Sequence, residues 1–290
     1  MQLSRWTRTV ALTATVGFAL SGCTIEEMGS SQSTGQTLTV TSTTTVEDSP
    51  EVPTPTATPA AGLQPQLQAI VDESVETYGG SAGLAVSDGR VDTVAGDDTA
   101  YPAWSTSKVP IAIAAVRQDP SLQQTAALAI QFSDNAAAET LWAALPPSAA
   151  DRVISEADTP LVLNTEVTRP GFTAFGQTSW STSSQAHFAA NLGCVEGAEP
   201  ILQLMGEITP EHRYGIGNLP GAKFKGGWGP NISGAYVVRQ LGALQAPNGR
   251  IAVAMTAAPG DGSYQSAQDM MNLMAERLNS LIDELPASKC

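Results

Sequence analysis

The sequence is poor in positive charge, which limits what the protein can bind. Its 290 residues include 14 lysines and arginines against 28 aspartates and glutamates, for a formal net charge of −14. The basic residues form no run, so the chain lacks the charge pattern of a nucleic-acid-binding protein. Only four residues are lysines: Lys108, Lys223, Lys225 and Lys289. A lysine inside a motif is therefore informative.

Histidine and cysteine are scarce as well. The two histidines, His187 and His212, make no metal-ligand cluster, and we predict neither a metal site nor a cofactor. The three cysteines are Cys23, Cys194 and Cys290. In an exported protein, Cys194 and Cys290 could form a disulfide that ties the last helix to the middle of the domain.

The N-terminus has no apolar run long enough to be a permanent transmembrane helix. Its apolar stretch covers only Val10–Leu20, after Arg5 and Arg8, which is typical of a signal peptide. The sequence LSGC that ends at Cys23 resembles the lipobox of bacterial lipoproteins. That resemblance implies that residues 1–22 are removed and that Cys23 is lipidated, anchoring the protein to the outer face of the bacterial cell membrane. The alternative is an ordinary signal peptide with a chance cysteine.

Residues 23–62 lack the large apolar side chains that a core needs. Serine, threonine and proline dominate there, which predicts a disordered tether after the lipidated cysteine. Residues 63–290 have a suitable length for one domain, and this domain could have two lobes that share a cleft.

Periodicity in residues 63–290 predicts an α+β fold. A helix and two short strands are followed by a mostly helical segment from Ser105 to about Glu207. Three strands and a long helix, about Ser263 to Leu285, end the chain. Strands from both ends can pair in one five-stranded antiparallel sheet flanked by the terminal helices. The helical segment then forms a second lobe, with an active-site cleft between the two lobes.

Ser105 and Lys108 form the first candidate motif, STSK. Both lie at the start of a predicted helix, and positions i and i+3 share a helix face. A lysine amine can activate a serine hydroxyl when burial or another cation lowers its pKa. The alternative is that Ser105 caps the helix and that Lys108 is exposed to solvent.

Two further motifs follow. Ser133-Asp134-Asn135 lies between two predicted helices. The alternative to a catalytic role for these residues is that they form a helix cap. Lys225 is followed by Gly226 and Gly227 on a predicted strand, and glycines there allow a ligand to approach the backbone. The alternative for Lys225 is a solvated lysine on an edge strand.

Together these motifs resemble those of the serine β-lactamase and penicillin-binding protein family, and SDNAAAETL is most similar to class A β-lactamases. The resemblance implies that Ser105 is the nucleophile, Lys108 its general base, Ser133 a proton shuttle and Lys225 a positive charge near the substrate. It assigns substrate binding to three further residues: Asn135, Gly227 and Trp228. The backbone N–H groups of Ser105 and Trp228 would form the oxyanion hole. The implied substrates are β-lactams or cell-wall peptides.

The chain departs from the family in three places. Gly226 replaces a threonine or serine that binds the substrate carboxylate. Glu166 is a weak candidate for the deacylating glutamate, because the usual proline and asparagine do not follow it. The interval between Ser105 and Ser133 is also short. The sequence therefore leaves two alternatives open: a membrane-tethered serine acyl-hydrolase, towards which the intact motifs lean, or a degenerate family member that binds in the cell envelope without turnover.

Overall fold

The computed structural model describes residues 62–290. The predicted signal peptide, Cys23 and almost all of the predicted tether lie outside the described residues. Within residues 62–290, no helix combines the length and apolar character needed to cross a membrane.

The described residues form eight α-helices and seven β-strands. The helices are α1 (Leu63–Tyr78), α2 (Lys108–Gln118), α3 (Gln123–Gln131), α4 (Asn135–Ala144), α5 (Ala149–Glu156), α6 (Thr182–Asn191), α7 (Glu199–Met205) and α8 (Tyr264–Asn279). The strands are β1 (Ser81–Ser87), β2 (Asp92–Gly96), β3 (Tyr101–Pro102), β4 (Ser179–Trp180), β5 (Lys223–Pro230), β6 (Tyr236–Ala246) and β7 (Gly249–Ala258).

Five strands form one antiparallel sheet in the order β2-β1-β7-β6-β5, which confirms the predicted α+β fold. The N-terminal and C-terminal strands meet where Leu84 of β1 pairs with Met255 of β7. A second, two-stranded sheet of β3 and β4 was not predicted, because strands of two residues show no alternation.

Helices cover both faces of the large sheet. Successive strand residues point to opposite faces, and Arg239 and Gln240 of β6 show which helices lie on each. Arg239 bonds Gln185 of α6, whereas Gln240 bonds the backbone of Tyr214 and Ile216, a segment packed against α8. The terminal helices α1 and α8 contact each other and the sheet.

The helical lobe is built around α2, which contacts α3, α4, α5 and α7. Every residue from Lys108 to Val116 is buried, as expected for a helix enclosed on all sides. The 3₁₀ turn Trp104–Ser107 precedes α2 and contacts β5. The start of α2 therefore lies at the boundary between the sheet and the helical lobe.

The C-terminal segment differs from the prediction in one respect. Helix α8 ends at Asn279 rather than near Leu285, and tight turns follow although apolar residues continue. The chain then returns to the sheet, where Ser288 forms an isolated bridge with Arg250 of β7.

Cys194 and Cys290 form a disulfide with a Cα–Cα distance of 5.1 Å. The bond joins the segment after α6 to the C-terminal residue. Gly193 permits this approach, because a Cβ there would lie 1.9 Å from the carbonyl oxygen of Cys290.

Candidate active site

Ser105 lies in the 3₁₀ turn before α2 and is half-buried. The residue before it, Trp104, has a left-handed φ of 50°, a conformation that costs a bulky residue energy and recurs at functional sites. Within residues 62–290 the Ser105 hydroxyl makes no hydrogen bond, and it does not cap α2. The interpretation of Ser105 as a helix cap is therefore wrong, and its hydroxyl is available for chemistry.

Gly227 holds strand β5 against the Ser105 turn. A Cβ at Gly227 would lie 2.8 Å from the carbonyl oxygen of Ala103 and 2.9 Å from the backbone nitrogen of Ser105. No side chain fits there without moving the backbone. Glycine thus allows the backbone of Ser105 to lie beside that of β5, where Trp228 follows.

Lys108 is buried, with 1% of its surface exposed, which excludes the solvated-amine alternative. Its Nζ donates to the carbonyl oxygens of Ser133 and Asp134 and, at 2.8 Å, to Oδ1 of Asn135. These contacts use all three protons of the ammonium group. Burial lowers the pKa of Lys108 from 10.5 to about 8, although the negative charges of Asp134 and Glu139 oppose the shift.

The SDN motif positions Ser133 at the start of α4. Asp134 is the N-cap of α4, because its Oδ1 accepts a 2.8 Å hydrogen bond from the backbone N–H of Ala137. Ser133 has a left-handed φ of 56° and is not the cap. Its hydroxyl oxygen instead accepts a 2.9 Å hydrogen bond from Nζ of Lys225.

Lys225 is also buried, with 2% of its surface exposed, so it is not a solvated edge-strand lysine. Burial lowers the pKa of Lys225 well below its usual value, and the charge of Lys108 lowers it further. In the described part of the chain, neither lysine forms a salt bridge. The two ammonium groups form a site that favours loss of a proton from one of them and that attracts negative charge on a substrate.

An open cleft of about 570 Å³ connects these elements. Ser105, Asn135 and Trp228 line it together with Glu139 of α4, whereas Glu166 is exposed and does not line it. The remaining lining residues are Trp104 and a set from the loop between α5 and β4: Val167, Gly171, Phe172, Thr173 and Gly176.

Gln177 shapes the loop wall of the cleft. Its amide nitrogen donates to the carbonyl oxygens of Arg169, Phe172 and Thr173, and its amide oxygen accepts from Thr168 and Arg169. The Phe172 ring then packs on Trp104, with 5.3 Å between ring centroids. The loop is thereby fixed beside Ser105.

An aromatic group at the β5 end of the site was not predicted. The Trp228 ring lies 4.8 Å from the His212 ring and 5.8 Å from the Tyr264 ring. Burial and the charge of Lys225 lower the pKa of His212. No pattern in the sequence indicated this group, because its members come from separate segments that only the tertiary fold brings together.

Glu139 was also missed, although the sequence contained a signal for it. It follows Asn135 by four residues, and such residues lie on the same helix face. Among the residues that line the cleft, it is the one carboxylate in the described part of the chain. Across residues 62–290, no group of three potential metal ligands comes together.

Comparisons with known proteins agree with this geometry at the level of the fold. The extended-spectrum β-lactamase TLA-3 matches 76% of this chain over 99% of its own, with a TM-score of 0.61 and 13% identity. A variant of the last common ancestor of Gram-negative bacteria class A β-lactamase matches 76% over 99% (TM-score 0.60, 16% identity). The class A β-lactamase from Mycobacterium abscessus matches 75% over 99% (TM-score 0.60, 13% identity).

The protein therefore has the fold of the serine β-lactamases and penicillin-binding proteins, as the sequence motifs predicted. No family model and no curated protein matches the sequence. At these identities the likeness shows the fold alone.

Proposed function

We propose that the protein is a serine acyl-hydrolase that forms an acyl-enzyme on Ser105 with β-lactams or peptidoglycan-type peptides. The observation that carries the proposal is the hydroxyl of Ser105, free of hydrogen bonds within residues 62–290. Ser105 lines the cleft together with Asn135. Asn135 and Ser133 accept hydrogen bonds from Lys108 and Lys225, which are both buried and form no salt bridge within residues 62–290. Burying two amines costs free energy. Burial is also the means by which proteins lower the pKa of a lysine towards neutral pH, where its amine can act as a base.

Acylation begins with proton transfer from Ser105 to neutral Lys108. At pH 7 a lysine of pKa about 8 is neutral in roughly one molecule in ten. Neutral Lys108 has one proton fewer, so it exchanges one of its contacts with residues 133–135 for the Ser105 hydroxyl. The serine oxygen then attacks the acyl carbonyl, and the backbone N–H groups of Ser105 and Trp228 stabilise the resulting oxyanion.

The leaving nitrogen receives its proton from Ser133, and Ser133 in turn takes the proton that Lys108 accepted from Ser105, so that Lys108 and Ser133 both return to their starting forms. Lys225 donates to the Ser133 hydroxyl oxygen at 2.9 Å, which orients that hydroxyl and stabilises it while its proton moves. Asn135 already uses Oδ1 to accept from Lys108, so its amide N–H groups remain to bind a carbonyl of the substrate.

The proposal includes export and lipidation of Cys23, which would place the cleft at the outer face of the bacterial cell membrane. Cys23→Ser should move the protein from the membrane fraction to the soluble fraction. Membrane association that is equal in both variants would contradict the lipid anchor.

A second candidate function is substrate binding without turnover in the cell envelope. Gly226 favours it, because the cleft lacks the hydroxyl that the family uses to bind a substrate carboxylate. In this case ligands would bind but no covalent adduct would form.

Intact-mass measurement separates the two candidates. The purified protein is incubated with a panel of penicillins and cephalosporins, beside Ser105→Ala and Lys108→Ala, while antibiotic consumption is followed. We expect an adduct or turnover that both substitutions abolish. Binding without adduct or consumption would support the second candidate.

A further inference from the structure

We infer that Glu139 is the general base that activates water for hydrolysis of the acyl-enzyme. The inference rests on the proposed function, because it concerns the second half of the same reaction. An ester on Ser105 persists unless a base activates a water molecule next to it. The cleft must then contain a group that can take a proton from that water.

The position of Glu139 meets this need. Helix α4 starts at Asn135, and Glu139 lies one turn further on the same face. Ser105, Asn135 and Glu139 all line the same cleft. A water that enters the cleft beside the Ser105 ester therefore lies in a space that Glu139 also lines.

The carboxylate of Glu139 is also free to act. It is exposed, and within residues 62–290 it forms no salt bridge or hydrogen bond. By contrast, Asp134 is used as the N-cap of α4 and Asp151 accepts from the backbone of Leu163. The negative charge of Glu139 also raises the pKa of Lys108, against the larger lowering by burial.

The proposed step is the hydrolysis of the ester between the acyl group and Ser105. Glu139 accepts a proton from water while the water oxygen attacks the acyl carbonyl carbon. The tetrahedral intermediate then collapses, the bond between that carbon and Oγ of Ser105 breaks, and Oγ receives the proton that Glu139 took from the water. A carboxylic acid leaves, and both Ser105 and Glu139 return to their starting forms.

The test separates acylation from deacylation in the purified protein. Glu139→Gln removes the base and keeps the size of the side chain. Glu196→Gln is the matched control, because Glu196 is exposed and does not line the cleft. Adduct formation is timed by mass spectrometry after mixing with a penicillin, and adduct loss is timed after the free antibiotic is removed.

We expect Glu139→Gln to acylate within about threefold of the wild-type rate and to lose the adduct about 100-fold to 1,000-fold more slowly. Glu196→Gln should match the wild type in both steps. Hydroxylamine, which attacks an ester without help from a base, should release the acyl group from wild type and Glu139→Gln at similar rates. Glu139→Asp should restore part of the hydrolysis rate.

Three results would overturn the inference. In the first, Glu139→Gln loses the adduct at the wild-type rate. In the second, Glu139→Gln slows acylation and deacylation equally and also has a lower melting temperature. In the third, water never hydrolyses the adduct of the wild-type protein. Absence of any adduct on Ser105 and of any antibiotic consumption in all variants would instead remove the proposed function, and the inference with it.

Discussion

In the proposed mechanism, acylation depends most strongly on Lys108. Its burial lowers its pKa to about 8, so the neutral, basic form becomes more abundant as the pH rises towards 8. The same shift affects stability: the unfolded chain binds more protons between about pH 8 and pH 10.5, so this group's contribution to stability rises with pH across that window. The cost of burying the charged amine is present in full below pH 8.

The pH dependence of acylation tests this role. The second-order rate constant for adduct formation should rise about tenfold from pH 6 to pH 7 and level off above pH 8, with a further rise of about twofold by pH 9. A stopped-flow or quenched mass measurement over pH 6–9 provides the profile. A rate that does not change across this range would exclude titration of Lys108 as the controlling step.

Substitution of Gly226 tests whether a hydroxyl at this position would bind the substrate carboxylate. A Cβ there would have its nearest neighbours at 3.7 Å, the Tyr214 hydroxyl, and at 3.8 Å, the Trp228 ring, which are ordinary contact distances. Gly226→Ser should therefore fold normally. It should also increase the rate of acylation by a penicillin about tenfold, the value of one added hydrogen bond to the substrate carboxylate.

Gly226→Ala is the control for that hydroxyl, since it adds the carbon without the oxygen. An equal rate in the serine and alanine variants would contradict a carboxylate-binding role at this position.

At the scale of elements, the sequence predicted where the three motifs lie on the helices and strands. Ser105 precedes α2, Ser133 precedes α4, and Lys225 lies in β5, all as the patterns indicated. The packing of these ends against each other could not be read from the sequence. The closeness of Gly227 to the Ser105 turn depends on how β5 lies against α2, which no local pattern encodes.

That closeness gives a prediction for the contact between β5 and the turn. Gly227→Ala should lower the acylation rate about 100-fold or more, because the new Cβ forces β5 and the Ser105 backbone apart and disturbs the oxyanion hole. Gly226→Ala, one residue away on the same strand, meets no close atom and should retain the rate. The two rates, measured beside thermal unfolding, check the argument. Equal rates would show that the spacing of the turn and β5 does not matter.

At the scale of the whole molecule, the order of helices and strands was enough to predict the five-stranded sheet and the helical lobe. The antiparallel pairing of β1 with β7 follows from closing the chain ends into one sheet. The order of elements was not enough to predict which carboxylate lines the cleft. Glu139 and Glu166 both look like exposed glutamates in the sequence, and only the packing of α4 against the loop between α5 and β4 distinguishes them.

The disulfide is the global constraint on this fold. It closes a loop of about 96 residues. Replacing both Cys194 and Cys290 with serine should lower the free energy of unfolding by about 2–4 kcal/mol, because the unfolded chain gains freedom. Urea unfolding of the oxidised protein and the double variant measures this. Acylation should be little affected, since neither cysteine lines the cleft, and unchanged stability would contradict a structural role.

The most direct test of the central claim is to locate the covalent bond. The purified protein is mixed with benzylpenicillin, denatured in acid within seconds, digested with trypsin and sequenced by fragmentation mass spectrometry. We predict the penicilloyl mass on the peptide of residues 91–108, at Ser105 rather than at Thr106 or Ser107. An unmodified peptide under conditions that consume the antibiotic, or a label at any other residue, would contradict the assignment of Ser105 as the nucleophile.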